Sequence, residues 1–360
     1  MKHFGLFGRY AVLALAVCML TIGPSLYADS GAAHRVSNPN FGVSGGNIND
    51  ISKRFCCSGT LGALVTAGGV NYILSNNHVL ARSDQASAGE DISQPGRIDN
   101  NCQTPPIVAD FTTAPALGSN VDAAIAQLRS GAMNSTGSIQ DIGTISSVVR
   151  NASIGLAVAK SGRTTGLTAG SIGAINANIN VQYQSGCGSG KKFVVSYTNQ
   201  VVINSTTFSA GGDSGSLIVS DDSCHQPVAL LFAGSSSATI ANPIGEVLTK
   251  LTGVLGPAVS FVGDGDTCGA GAGLTSLGAQ AGGPSRASVD RAMRAMRTRQ
   301  NDLMSRPGII GVGVGASDTD PNEASIVVYI DVTSPLSSGV PRQINGVRVK
   351  RVYTEPFVAY

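Results

Sequence analysis

Between residues 57 and 233 the chain repeats one pattern, a run of three to seven mostly apolar residues closed by Gly, Asn, Ser or Pro. The runs fall at 61–66, 70–74, 107–111, 123–128, 154–160, 170–175, 193–195, 201–203, 216–219 and 228–233. Runs this short are strand-sized, and turn residues at such regular spacing predict an all-β sandwich or barrel. Charged residues make up 13% of the chain, about half the usual ~25%, and 46 of the 360 residues are Gly. Long helical bundles, coiled coils and multi-span membrane proteins are therefore excluded. One short helix is expected from Asn242 to about Leu251, with Asn242 as cap and Pro243 at the first helical position.

The flanks differ from this body. Lys2 and Arg9 precede an apolar run over 11–22, and Ala28 offers a small residue for cleavage, so residues 1–28 read as a secretory signal peptide. With Lys2 and Arg9 removed from the 24 basic residues, 22 remain against 22 acidic ones. A neutral mature chain favours neither a nucleic-acid partner nor stable membrane insertion. Export also suits the cysteines. Cys56, Cys57, Cys102, Cys187, Cys224 and Cys268 remain after Cys18 is removed, an even set that suggests disulfides with 15 possible pairings. Adjacent Cys56 and Cys57 are each expected to bridge elsewhere. No C-x-x-C or H-E-x-x-H supports a metal site, and no cofactor is expected.

Residues 29–54 are polar and turn-rich and read as a leader to the first strand. Residues 256–285 are Gly-rich and read as a linker, and residues 286–360 as a small α+β module. In that module a helix is expected over 288–305, followed by strands over 308–315, 325–331 and 347–352. Residues 29–285 hold 12 basic and 15 acidic residues, and residues 286–360 hold 10 and 7, so the tail differs electrically from the body. An assembly or regulatory role, possible homo-oligomerisation included, is the expectation for it.

The strongest local signal is Gly211-Gly212-Asp213-Ser214-Gly215-Ser216 ahead of an apolar strand. A Ser hydroxyl becomes a useful nucleophile when a His takes its proton and a carboxylate fixes that His. The mature chain has three histidines. His34 lies in the polar leader and His225 in a turn beside Cys224, both read as structural, whereas His78 follows a strand end in Ser75-Asn76-Asn77-His78. Asp122 opens an apolar run and is the acid of choice, with Asp110 and Asp141 as competitors. An α/β-hydrolase is disfavoured: position 216 is not Gly, and the only histidine after Ser214 follows by eleven residues. Gly311-Val-Gly-Val-Gly315 mimics a dinucleotide fingerprint, but Asp318-Thr-Asp-Pro321 follows where a helix should start, so a Gly-rich strand and turn is expected.

The order His78, Asp122, Ser214 resembles that of chymotrypsin-fold serine peptidases, carried by Asn77-His78-Val79, Asp122-Ala-Ala-Ile-Ala126 and Gly212-Asp-Ser-Gly215. Ser161-Gly-Arg-Thr-Thr-Gly166 resembles the start of the second barrel in the bacterial α-lytic-protease type. The segments 231–235 and 241–244 are similar to Nal1-like trypsin-fold proteins. Over residues 55–255 the resemblance implies a chymotrypsin-like double β-barrel and a secreted or periplasmic endopeptidase acting on protein or peptide substrates. It also implies an oxyanion hole from the N–H groups of Gly212 and Ser214. Phe208 and Ser209 would floor the primary pocket and Phe232, Ala233 and Gly234 wall it, for small-to-medium apolar side chains. Buried Asp213 would pair with Lys160, or failing that Arg163, making the enzyme competent without N-terminal processing. The chain departs from the pattern in three places. Ser216 replaces a Gly, Phe232-Ala233 occupies the place of a Ser that supports the triad acid, and Ala159 and Ala169 replace a cysteine pair. The departures at Ser216 and Phe232 motivate the alternative, a weak or inactive peptidase-fold binding or assembly protein.

Overall fold

The computed structural model describes residues 32–265, 283–334 and 339–360. The signal-peptide reading of residues 1–28 and most of the expected linker fall outside these residues. Strands β1 (Val43–Asn47), β2 (Gly59–Leu61), β3 (Ala63–Ala67) and β4 (Val70–Ser75) precede a single helical turn, α1 (Asn77–Leu80). Then come β5 (Asp91–Ser93), β6 (Ile107–Thr113) and β7 (Ala124–Leu128). They pair antiparallel in the order β3-β4-β7-β6-β5-β1-β2. Because β2 runs into β3 through Gly62, the two ends of this sheet meet and it closes around fully buried Val43, Leu61, Leu64, Ile73, Leu74 and Ile125. Strand β1 lies inside the segment expected to be a leader. Its residues, Val-Ser-Gly-Gly-Asn, carry no apolar alternation because neighbouring side chains fill the space: a Cβ on Gly45 would lie 2.4 Å from Leu61 Cγ.

The second barrel follows with β8 (Ala157–Gly162), β9 (Gly166–Gln184), β10 (Lys192–Asn204), β11 (Leu217–Ser220), β12 (Pro227–Gly234) and β13 (Ala238–Pro243). Helix α2 (Ile244–Leu255) and β14 (Ser260–Phe261) return the chain to β3. The run expected over 170–175 is one part of a 19-residue strand, and those at 193–195 and 201–203 belong to one strand. In β9, Ala177, Ile179, Val181 and Tyr183 alternate inward, and the polar residues between them hide the strand from any reading based on apolar runs. The helix start also differs from expectation. Asn242 and Pro243 end β13, and Asn242 accepts from the Asp122 N–H at 2.9 Å and donates to Gln200 Oε1 at 2.7 Å rather than capping α2. A fully buried amide is satisfied where its partners lie, here across the barrel interface.

Cys56 bridges Cys102, and Cys57 bridges Cys187 in the loop between β9 and β10, tying the two barrels together. Residues 286–360 form α3 (Arg286–Arg297), α4 (Gln300–Met304), β15 (Ile309–Ala316), β16 (Ala324–Asp331), β17 (Gln343–Ile344), β18 (Val347–Thr354) and β19 (Phe357–Ala359). The single helix expected over 288–305 is two, interrupted at Thr298 and at Arg299, where φ is −133°. Ser285 caps α3 by accepting from the Ser288 N–H, and buried Ala292, Ala295 and Met296 pack with Ile326 and Val328. The Gly311–Gly315 motif lies within β15, as expected of a Gly-rich strand. Strand β15 pairs with β9, and β19 pairs with both β12 and β9, so the tail continues the sheet of the second barrel. The architecture is the expected chymotrypsin-like double β-barrel with an α+β tail. Among the described residues no helix is long and apolar enough to cross a membrane.

Candidate active site

Three turns from the two barrels converge on one cleft. His78 sits on α1, the turn that follows β4, and Asp122 lies two residues before β7. Antiparallel pairing of Ser75 with Ala124 brings these strand ends together. His78 Nδ1 is 2.6 Å from Asp122 Oδ2, and the His78 backbone N–H donates to Oδ1 at 3.2 Å. The competing acids are engaged elsewhere, Asp110 with Arg129 and Asp141 with His34. Asp122 is fully buried. Its remaining donor is the hydroxyl of Tyr183, 2.8 Å from Oδ2, itself 2.7 Å from the Tyr197 hydroxyl. Burial, with the Asp122 charge, pushes the Tyr183 phenol well up, so it stays a donor. Tyr183 thus supports Asp122 from β9, whereas the family pattern places a supporting Ser on the strand that here carries Phe232-Ala233. A lone Tyr 61 residues away gave no local signal of this role.

Ser214 occupies the turn between β10 and β11, where Gly212 (φ 98°) and Gly215 (φ 94°) adopt the left-handed backbone that a side chain resists. A Cβ on Gly215 would also lie 2.2 Å from the Thr60 carbonyl oxygen, so the turn fits against the first barrel only with glycine there. Asp213 is the hub of the loop. It accepts from the N–H groups of Thr164 (2.8 Å), Thr165 (3.2 Å) and Ala210 (3.0 Å) and from the Thr165 hydroxyl (2.7 Å). Lys160 Nζ lies 3.6 Å from Asp213 Oδ2 and donates to the Gly166 carbonyl at 2.9 Å and to the Thr165 hydroxyl. Lysine and carboxylate thus face each other with Thr165 bridging them, both fully buried. Burial pulls the Lys160 ammonium down to about 8 against the opposing pull of Asp213. Arg163, the fallback partner, instead makes a two-pronged pair with Asp99 at 2.6 and 2.7 Å. The Ser216 hydroxyl donates to the Asp213 carbonyl at 2.6 Å, so this departure from the family pattern closes the turn from inside.

The turn at Gly211–Gly215 is tied down on one side. Thr164 Oγ1 donates to the Gly211 carbonyl at 2.7 Å. In a trans peptide the following N–H points the opposite way, which turns the Gly212 N–H away from Thr164. The expected pocket residues divide. Phe208 and Phe232 are fully buried, and the Phe232 ring packs on Tyr197 (centroids 4.9 Å apart), so its side chain belongs to the core. Ser209 and the backbone of residues 233–234 remain at the cleft, beside a cavity of about 620 Å³ that Ala210 and Ser235 also line.

Ser214 and His78 are not hydrogen-bonded to each other. Ser214 Oγ donates to the Phe232 carbonyl at 3.2 Å, and His78 Nε2 lies 3.0 Å from the backbone oxygen of Tyr360. Burial lowers the His78 pKa, but Asp122, the Tyr360 oxygen and Asp50 outweigh it, so the imidazole is raised above its ordinary value. Burial also raises half-buried Asp50 to about 6, opposed by His78 and Arg82. Neither Tyr360 nor Asp50 was legible as a site residue, because one is 282 positions from His78 and the other sits in a polar turn. Among the described residues no group of three or more His, Cys, Asp or Glu could hold a metal.

Residues 119–242 match the family of the Nal1 C-terminal domain. The chain is similar to several solved structures. One is a glutamic acid specific serine protease reported to use a histidine triad in substrate binding (21% identity, TM-score 0.43, covering 61% of this chain and 98% of that one). Others are Thermobifida fusca protease A (18%, TM-score 0.43, 63% and 100%) and Cellulomonas bogoriensis chymotrypsin (17%, TM-score 0.42, 63% and 100%). No curated protein matches.

Proposed function

We propose that the protein is an exported serine endopeptidase that cleaves peptide bonds through an acyl-enzyme. The observation that carries this reading is His78, fixed at 2.6 Å by a fully buried carboxylate, in the cleft that also receives the Gly212-Asp213-Ser214-Gly215 turn. Ser214 Oγ attacks the substrate carbonyl carbon while its proton passes to His78 Nε2. Asp122 stays ionised and stabilises the imidazolium. The N–H groups of Gly212 and Ser214 receive the developing oxyanion, each such donor being worth about 3–4 kcal/mol of barrier. Collapse breaks the C–N bond as His78 returns the proton to the leaving amine, and water then repeats the sequence on the acyl-enzyme. The Asp213 network, with Lys160 as its internal cation, supports an oxyanion loop that needs no new N-terminal ammonium. The basic, apolar and small-residue start of the sequence and the Cys56–Cys102 and Cys57–Cys187 bridges support export. N-terminal sequencing of the secreted or periplasmic form tests it.

One observation favours the second reading, a non-catalytic binding or assembly protein on this fold: Ser214 Oγ faces the Phe232 carbonyl rather than His78. A fluorophosphonate probe separates the two. Covalent labelling at Ser214, lost in Ser214→Ala, is the expected outcome for the enzyme, and no labelling of any form is the outcome for the binding protein. Comparing the size of the full chain with one ended after residue 285 tests the assembly role of the tail.

A further inference from the structure

Strand β12 loses its neighbour β11 beyond residue 231, leaving an open edge at residues 232–234 beside Ser214. The chain fills that edge with its own segment. Strand β19 runs antiparallel to β12, pairing Ala359 with Ala233 and Val358 with Gly234, and parallel to β9, pairing Phe357 with Val181. Tyr360 follows, with its backbone oxygen 3.0 Å from His78 Nε2. Its side chain packs with the cluster that holds Val201, Ile203 and Phe208, and its hydroxyl donates to the Ser235 carbonyl at 3.2 Å. A Cβ on Gly234 would lie 2.1 Å from that hydroxyl, so the pocket has room for this ring only because residue 234 is glycine.

We infer that residues 355–360 occupy the substrate cleft as an intramolecular ligand, with Tyr360 in the pocket for the residue preceding the cleaved bond. The inference rests on the peptidase reading for the word substrate, and on geometry alone for the occupancy. It names the substrate class, extended peptides with an aromatic residue, Tyr above all, before the cut. This departs from the small-to-medium side chains expected from sequence. Strand addition supplies sequence-tolerant main-chain affinity, and the pocket supplies selectivity. The segment is anchored upstream: Phe357 is buried edge-on against Tyr329 (centroids 5.7 Å apart), the Thr354 hydroxyl meets that of Ser235 at 2.6 Å, and Glu355 accepts from the Ser236 hydroxyl. Tethering gives such a ligand a high local concentration, in the millimolar range for short flexible links, so a free peptide must displace it.

Occupancy also explains the resting state of the triad. Both ring nitrogens of His78 face acceptors, Asp122 Oδ2 and the Tyr360 oxygen, so both carry protons. An imidazolium cannot take the Ser214 proton, and Ser214 Oγ donates instead to the Phe232 carbonyl. The tail therefore closes the site in cis, and its withdrawal restores a neutral base.

The test uses the full chain, a chain ended after Thr354, and full-length Tyr360→Asp, which keeps the Phe357 anchor should the shortened chain fail to fold. Each is made with Ser214 and with Ser214→Ala. In the Ser214→Ala background, acetyl-Glu-Pro-Phe-Val-Ala-Tyr should bind saturably to the shortened chain and at least tenfold more weakly to the full one. N-acetyltyrosinamide, which fills only the pocket, should bind Tyr360→Asp and not its parent. Absence of both binding differences overturns the inference. Fluorophosphonate labelling of the Ser214 forms is the separate readout on catalysis, expected to be at least tenfold faster once the tail is shortened. Peptide binding without labelling in any form leaves the occupied cleft standing and removes the peptidase.

Discussion

Replacing Lys160 by Met separates what the buried cation does for the fold from what it does for the loop that carries Asp213 and Ser214. Lys160 titrates at about 8 instead of 10.5, and each unit is 1.36 kcal/mol, so holding it charged costs the folded state about 3 kcal/mol even with Asp213 opposite. This is a depressed base. The cost is fully present below pH 8 and is relieved as pH rises from 8 towards 10.5. Met removes it while filling similar volume. Against that gain, the Gly166 carbonyl loses the 2.9 Å donor, and a buried acceptor left unmatched costs about 1–3 kcal/mol. Asp213 keeps the N–H groups of Thr164, Thr165 and Ala210 and the Thr165 hydroxyl. The two sides nearly cancel, so Lys160→Met should change unfolding free energy at pH 7 by no more than about 2 kcal/mol. The loop it braces should suffer more. Thr165 loses the cation that fixes its hydroxyl, and Asp213 loses its countercharge beside the Gly212 and Ser214 N–H groups. Fluorophosphonate labelling of Ser214 should slow about 10- to 100-fold, equivalent to about 1.4–2.8 kcal/mol. Denaturant unfolding and labelling rates on the same preparations provide the assay. A variant that labels at the parent rate, or one that loses 5 kcal/mol of stability, refutes the reasoning.

Tyr183→Phe deletes a hydrogen bond to the buried Asp122 carboxylate, worth about 1.5–3 kcal/mol. It should lower stability by that amount and move the acid limb of the labelling–pH profile upward, since a less satisfied carboxylate holds the His78 proton more tightly; an unmoved profile argues against the role. Asp122, the docked Tyr360 oxygen and Asp50 raise the His78 pKa against burial, with Arg82 acting on Asp50 and the Tyr183 ring edge-on at a centroid distance of 6.1 Å. The linked stabilisation is complete below the ordinary His value of 6.5 and is lost as pH rises through the raised one. The labelling advantage of the shortened chain should therefore shrink as pH rises through that raised value, and a constant or growing ratio contradicts the linkage. Gly162→Ala places a Cβ 2.3 Å from Ser216 Oγ and 2.7 Å from Asp213 Oδ1, overpacking that should cost about 1–3 kcal/mol. Adding Ser216→Gly should recover part of the loss, and strict additivity in the double-mutant cycle would count against direct contact.

What the sequence alone determined follows from chemistry that is local along the chain. Short runs closed by turn residues implied strands, and Gly212-Asp-Ser-Gly215 implied a strained turn presenting a hydroxyl. Three histidines were few enough to bring His78 forward by elimination, and Asp122 stood ahead of Asp110 and Asp141 because it opens an apolar run. Lys160 facing Asp213 was also legible, through the resemblance of the turn over 161–166. Tertiary structure alone decided the features whose partners meet through barrel closure. Tyr183 reaches Asp122 because β9 pairs it with Phe193 of β10 in a register that turns it inward, and a local slip of one residue would send that hydroxyl to the opposite face. Strand β1 exists because Leu61 and its neighbours leave room only for a backbone with minimal side chains. Tyr360 reaches His78 because β15 and β19 join the sheet of the second barrel, bringing together residues 282 positions apart. Such contacts depend on strand order, register and available volume, which emerge only when non-local pairings are made, so no periodicity or motif along the chain encodes them separately.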